Sequence, residues 1–173
     1  MISYILGLIY DTAKRQRSVY LIAVKAGTFF GISLITYLGY RYEAELISPS
    51  LACSAVELFT PPAGMIKVKK IAGGQLLSAF IGVTMHHFLG STWWSISISV
   101  VTAIILMELT DTMHLPGVAT AFIAVISNQN YSFIYKPIML GLGILILAAL
   151  VIHVMVSVTN TGQSDRINSS GNL

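Results

Sequence analysis

The run from Met107 to Ile126, MELTDTMHLPGVATAFIAVI, sets two acids, a histidine and a Pro-Gly pair inside an otherwise apolar stretch. Ionisable groups in such company are expensive in hydrocarbon, so they face a bundle interior or an aqueous path and mark a site. Pro116 has no N–H and crowds the preceding turn. The span before it therefore ends near Thr110 to Met113, and a new helix starts at Pro116. A backbone broken at membrane depth is tolerated where it is buried in protein or lines a cavity, and in transporters such breaks carry the substrate. Composition fixes the solvent: 55% of the residues are hydrophobic and 10% charged, against about 25% charged in soluble domains, and the mean hydropathy is +0.77. These values describe one integral membrane domain.

The net charge of +3 comes largely from Lys14, Arg15 and Arg17 and from Lys67, Lys69 and Lys70. Such clusters beside apolar spans read as loop topology and interfacial anchoring to lipid, not as nucleic-acid binding. Residues 1–18 run from apolar to basic, the reverse of a secretory signal, and suit an amphipathic helix on the cytoplasmic surface. The transmembrane domain is expected over 19–157, with a disordered polar tail at 158–173. Its first span is Val19 to Tyr40, where Lys25 either snorkels to the interface or points inward as an anion partner. Leu46 to Thr60 is a short helix with Ser48 as cap, Pro49 at its start and a weakly polar face of Ser50, Cys53 and Ser54. Glu57 is either buried or interfacial. Pro61 to Lys70 reads as a linker with a basic collar.

Ile71 to Leu89 is the second long span, and Gly73, Gly74, Ser78 and Gly82 let one side approach another helix closely. The adjacent His86 and His87 point about 100° apart and form no two-histidine metal site. Trp93 and Trp94 resemble an interfacial belt opening the third long span, which runs to Leu109. A short helix from Pro116 to Ser127, a loop from Asn128 to Lys136 and a last long span from Pro137 to Ser157 follow.

The order long, short, long occurs twice. A shift of 67 positions (116 minus 49) places Pro49 on Pro116, Ala52 on Ala119, Gly74 on Gly141 and His86 on His153. The fold expected is thus all-α, with four long transmembrane helices and two short Pro-initiated ones in a 3+3 inverted repeat. If the short segments cross fully, the basic N-terminal segment and the lysine linker share the cytoplasmic side; if they re-enter, the two clusters lie on opposite sides.

The runs FTPPAGMIKVKKIAGGQLLSAFIGV (Phe59 to Val83) and TMHLPGVATAFIAV (Thr112 to Val125) resemble the two signature regions of the HPP family of integral membrane proteins, named for a His-Pro-Pro tripeptide. The resemblance covers roughly residues 42–156, most specifically Gly73, Gly74, Leu77, Ser78, Ala79, Gly82 and His114, Pro116, Ala119, Thr120, Ala121. Leu115 replaces the first proline of the tripeptide, and Gln75 stands where the family often has histidine. The resemblance implies a membrane protein usually counted as four spans, with an association of some members with nitrite transport.

Each short helix starts at a proline, and a helix N-terminus offers unpaired N–H groups and about half a positive charge. If the two termini meet near mid-membrane, they suit a small monovalent anion such as nitrite. Its binding residues are then His114, Thr112, Thr120, Pro116, Gly117, Ser50, Ser54 and Lys25, and its proton-linked residues His114, Asp111 and Glu108. The acids Glu108 and Asp111 oppose an anion unless paired or turned away. Two alternatives stay open: a proton or cation pathway through Glu57, Glu108, Asp111 and His114, and a noncatalytic scaffold subunit. Another is that His114 and Thr120 merely cap the broken helix. The sequence offers no nucleophile with base and orienter, no metal cluster and no phosphate loop, so neither an enzyme nor a cofactor is expected. A bacterial plasma membrane and a homo-oligomer through the small-residue faces complete the expectation.

Overall fold

The structure, a computed structural model, describes residues 22, 25–34, 36–37, 40–41, 49–60, 65–151 and 154. The amphipathic segment 1–18, the linker at 61–64 and the tail at 158–173 lie outside the described residues. Among those described the chain is helical, with no strand: α1 (longest run 25–34), α2 (Pro49–Phe59), α3 (Met65–Leu89), α4 (Trp93–Leu109), α5 (Leu115–Ile126) and α6 (132–151).

Local signals end these helices where they stop. Gly90 closes α3 at φ +68°, with its N–H bonded to the His86 carbonyl at 2.8 Å. Thr92 opens α4 through a reciprocal cap: the Ser95 N–H donates to the Thr92 hydroxyl and the Thr92 N–H to the Ser95 hydroxyl. At the end of α4 the Asp111 N–H reaches the Glu108 carbonyl and the Thr112 N–H reaches that of Met107, with Asp111 at φ +51°. This is the Schellman arrangement, and Asn128 repeats it after α5 at φ +52°. The expected break therefore stands between Leu109 and Leu115. Beyond Gly90, the Ser91 hydroxyl bonds the Val125 carbonyl, the Asn128 side chain and His86 Nδ1, tying the α3–α4 turn to the end of α5.

Three expectations change. The lysines expected in a linker are helical, because α3 starts at Met65. Lys67 there donates to the Thr60 carbonyl at the end of α2 at 2.7 Å, a favourable place for a cation that is badly placed against its own helix start. Pro137 does not open the last helix but lies buried within it, in a π-helical stretch from Ile134 to Met139, where a widened turn accommodates the missing N–H and the ring. The loop before it is accordingly shorter than Asn128 to Lys136, since helix begins at Ser132.

α3 is the centre of the bundle. It packs along α5 most extensively, then along α4, while α2 lies on α5 and α6 on α3. Its stripe of Gly74, Ser78 and Gly82 at every fourth position permits that closeness. A methyl on Gly82 would stand 2.7 Å from the Ala121 carbonyl and from the Ala124 methyl. One apolar cluster joins Leu51, Ala55, Leu58, Ile71, Val83, Ile138 and Leu145, and a smaller one joins Ile81, Ala103, Met107 and Ala121.

Elsewhere polarity is inverted relative to a water-soluble domain. Ser50, Ser54, Gln75, Ser78, Ser95, Ser99, His114 and Thr120 are buried, while Phe29, Phe30, Phe80, Val101, Ile105, Leu147 and Leu150 are exposed. Small and polar residues between helices and large apolar ones outside suit packing in lipid, where apolar burial between helices gains nothing. Among the described residues, Ile134–Val151 is the helix both long and apolar enough to span by length and composition. α3 has 25 residues but carries three lysines near its start, and α4 has 17.

Candidate functional site

The break between α4 and α5 sets His114 at the head of α5, against α3 at Gly74. A methyl on Gly74 would lie 2.6 Å from His114 Cβ and 2.8 Å from the Thr112 carbonyl, so a residue without a side chain is what lets the break seat there. Gly117, in the first turn of α5, is equally close: a methyl on it would lie 2.9 Å from the Gly74 carbonyl. Pro116 is half-buried beside it.

His114 occupies the cap position of α5 but makes no side-chain cap bond. Its ring instead reaches across to α2, with Nε2 2.8 Å from the Ser54 hydroxyl. Thr120, two turns into α5, meets Ser50 at 2.8 Å. Because Ser50 pairs with Thr120 and Ser54 with His114, α2 and α5 run antiparallel and overlap along their N-terminal halves, and their tips do not meet end on. Gln75 joins the two from α3: its amide nitrogen donates to the Ser54 hydroxyl at 2.7 Å and to the Ser50 carbonyl at 3.3 Å, and its amide oxygen accepts from Thr120 at 2.5 Å. Ser50, Ser54, Gln75 and Thr120 are all buried.

Glu57 completes the constellation. One turn along α2 from Ser54, its carboxylate lies 3.0 Å from His114 Nδ1, with the His114 side chain fully buried and that of Glu57 40% exposed. The contact has the distance of an ion pair, but Nδ1 has no aligned hydrogen-bond partner, so the carboxylate sits off the N–H axis. Proton placement in the chain is coupled. A hydroxyl carries one proton, so if Ser54 donates to the Ser50 carbonyl at 2.8 Å, His114 must donate from Nε2. If Ser54 donates to Nε2 instead, the ring's proton stands on Nδ1 toward Glu57. The order hydroxyl, imidazole, carboxylate is also that of hydrolytic triads, a constellation the sequence did not reveal. Ser54, however, is wholly buried and engaged with Gln75, the Ser50 carbonyl and His114 together.

The remaining sequence candidates fall elsewhere. Thr112 is buried against Gly73, and its hydroxyl bonds Thr110 at 2.7 Å. Asp111 is exposed and paired with Lys70 at 3.1 Å, and Glu108 is exposed. Neither acid stands with His114, whose acidic partner is Glu57. Lys25 is exposed on α1. Gln75, noted in the sequence as a departure from the family pattern, is the residue that reasoning missed. A lone amide inside an apolar helix, directly after two glycines, was the available signal, because such a group requires partners in a neighbouring helix.

An all-helical bundle with an apolar exterior and a polar joint between broken helices defines an integral membrane protein. The chain belongs to the HPP transmembrane family, whose model matches residues 13–161. Two curated relatives, both named as transmembrane proteins of Dictyostelium discoideum, are 30% and 29% identical over 139 residues. Each alignment covers 73% of this chain, and 49% and 45% of the respective relative, so the chain spans about half the length of the relatives it matches. No solved structure matches it.

Proposed function

We propose that this protein carries a small monovalent anion of the nitrite class across a membrane together with a proton, at the joint of α2 and α5. The observation that supports this most is the wholly buried imidazole of His114, set among hydroxyls and an amide, with Nδ1 lacking an aligned partner. Such a nitrogen is suited to donate to an anion and to exchange a proton. The pairing of Asp111 with Lys70 removes one acid that would have opposed an anion. In this reading α1, α3, α4 and α6 cross the membrane and α2 and α5 are the short members of a 3+3 inverted repeat. The helix starts support it: α3 begins at Met65 and the last helix at Ser132, again 67 positions on (132 minus 65). Gly74 receives the head of α5, and Gly141, its counterpart, receives Leu51 at the head of α2. The N-terminus is placed in the cytoplasm of a bacterial cell, with a second copy as partner in the plasma membrane. Ser54 serves as a proton relay and not as a nucleophile, because its hydroxyl is buried and fully engaged.

A proton pathway without an anion is the second reading, favoured by the succession of close contacts from Glu57 through His114 to Ser54. Nitrite and proton fluxes measured together in reconstituted vesicles under opposing nitrite and proton gradients separate the two. The proposed function expects nitrite flux that His114→Ala abolishes and His114→Gln, which keeps a donor, retains in part. Wild-type flux and pH profile in both variants would remove His114 from the site.

A further inference from the structure

We propose that the Glu57 carboxylate is a tethered occupant of the anion position at His114 Nδ1, and that protonation of Glu57 vacates this position for the substrate. The inference rests on the anion-transport reading and specifies how its proton is coupled. The imidazole is buried completely, yet Nδ1 has no aligned partner; its neighbour is a carboxylate at 3.0 Å that approaches off axis. A ligand free of the α2 backbone would not be held to that angle. Glu57 is 40% exposed and the imidazole is fully buried, so the carboxylate lies between Nδ1 and the protein surface on that side.

Carboxylate and nitrite share the relevant chemistry: two oxygens on one centre, sharing a single negative charge. They compete for the same donor. Two such charges within a few ångströms in a low-dielectric site repel strongly, so anion and ionised Glu57 exclude one another. Among the described residues, no lysine is paired with this carboxylate. Lys67 is engaged at the Thr60 carbonyl and Lys70 with Asp111, while Lys69 and Lys136 are exposed, as are Cys53 on α2 and Tyr135 on α6. When Glu57 binds a proton from solution its charge disappears, the contact with Nδ1 weakens, and nitrite takes the position. The proton remains on Glu57 while the anion remains on His114. One proton therefore moves with each anion, and transport carries no net charge.

The test uses the full chain in vesicles with nitrite as probe, a proton indicator and a current measurement; protein-free vesicles subtract passage of neutral nitrous acid through lipid. Wild type is expected to take up nitrite faster as the pH falls, with one proton each and no current. Glu57→Gln places a neutral amide at the same reach. Its nitrite flux should persist, lose its dependence on pH so that the ratio of acid to neutral uptake falls to unity, and become electrogenic. Flux in Glu57→Gln that still rises with acidity and still carries protons overturns the proposal. So does a folded Glu57→Gln protein without flux, since the carboxylate would then be required and not competing. Should Glu57→Gln fail to fold, the wild-type stoichiometry decides: a nitrite current in wild type overturns the tethered-occupant model. Wild type that carries no nitrite at any pH defeats the transport reading itself, a separate result.

Discussion

Replacing Gly74 with Ala tests how the break is seated. The new methyl would stand 2.6 Å from His114 Cβ, 2.8 Å from the Thr112 carbonyl and 3.2 Å from the Met107 sulfur. Neither of the two closest atoms is the flexible end of a side chain. Restoring an ordinary contact of 3.4 Å to His114 Cβ moves the head of α5 by about 0.8 Å (3.4 minus 2.6). The same movement directed away from α2 lengthens the His114–Ser54 bond from 2.8 Å to about 3.6 Å, beyond hydrogen-bond range. Overpacking costs about 1–3 kcal/mol and the lost bond about 1 kcal/mol, against a gain of about 1 kcal/mol for removing a glycine from a helix interior. The net expectation is a loss of about 1–3 kcal/mol together with reduced flux. Gly143, on α6, has nothing within 4 Å of an added methyl and supplies the control; Gly143→Ala should be neutral or up to about 1 kcal/mol more stable. Reversible unfolding in mixed micelles, alongside nitrite uptake, measures both. Equal stability and equal uptake in the two variants would refute the reasoning.

Three further outcomes follow from the same geometry. Thr120→Val keeps the shape but leaves the Gln75 amide oxygen and Ser50 without their bonds to Thr120, and should cost about 1–3 kcal/mol in the same unfolding assay; an unchanged midpoint would show that this network carries no stability. Asp111→Gly removes an exposed ion pair worth up to about 1 kcal/mol and relieves a left-handed backbone at a similar gain, so stability should stay within about 1 kcal/mol of wild type and flux should not change. Cysteines placed at Lys14 and Lys67 in a chain lacking Cys53 should be labelled from the same, cytoplasmic side of the membrane. Labelling from opposite sides defeats the six-segment arrangement.

The break was legible because proline is a local signal: Pro116 inside an apolar run announces a helix boundary whatever surrounds it, and α5 begins within one residue of it. Pro137 gave the same signal with a different result, since a π turn absorbed it inside α6. A proline states that the regular ladder fails, but not how the neighbouring turns respond. His114, Ser50, Ser54 and Thr120 could be named as candidates from polarity in apolar surroundings. Their partners could not, because the separations of 57 residues between Glu57 and His114 and 70 between Ser50 and Thr120 are bridged by the packing of α2 and α5 on α3. Glu108 and Asp111 attracted attention through closeness to His114 in sequence, whereas the Schellman turn after α4 carries Asp111 outward to Lys70.

The knot at Ser91 gives α5 a hold at each end. Its far end is moored by bonds to the Val125 carbonyl and Asn128, while its near half is held by His114 on Ser54 and by Thr120 on Ser50 and Gln75. A helix of 12 residues is about 18 Å long, so a tilt of α5 about Ser91 would act at nearly that full length on the bond between His114 and Ser54. A tilt of about 5° there would sweep the head of α5 through about 1.6 Å, enough to part His114 from Ser54 while Ser91 keeps its hold. A small rotation at the Ser91 knot would therefore be felt as a larger displacement at the buried joint.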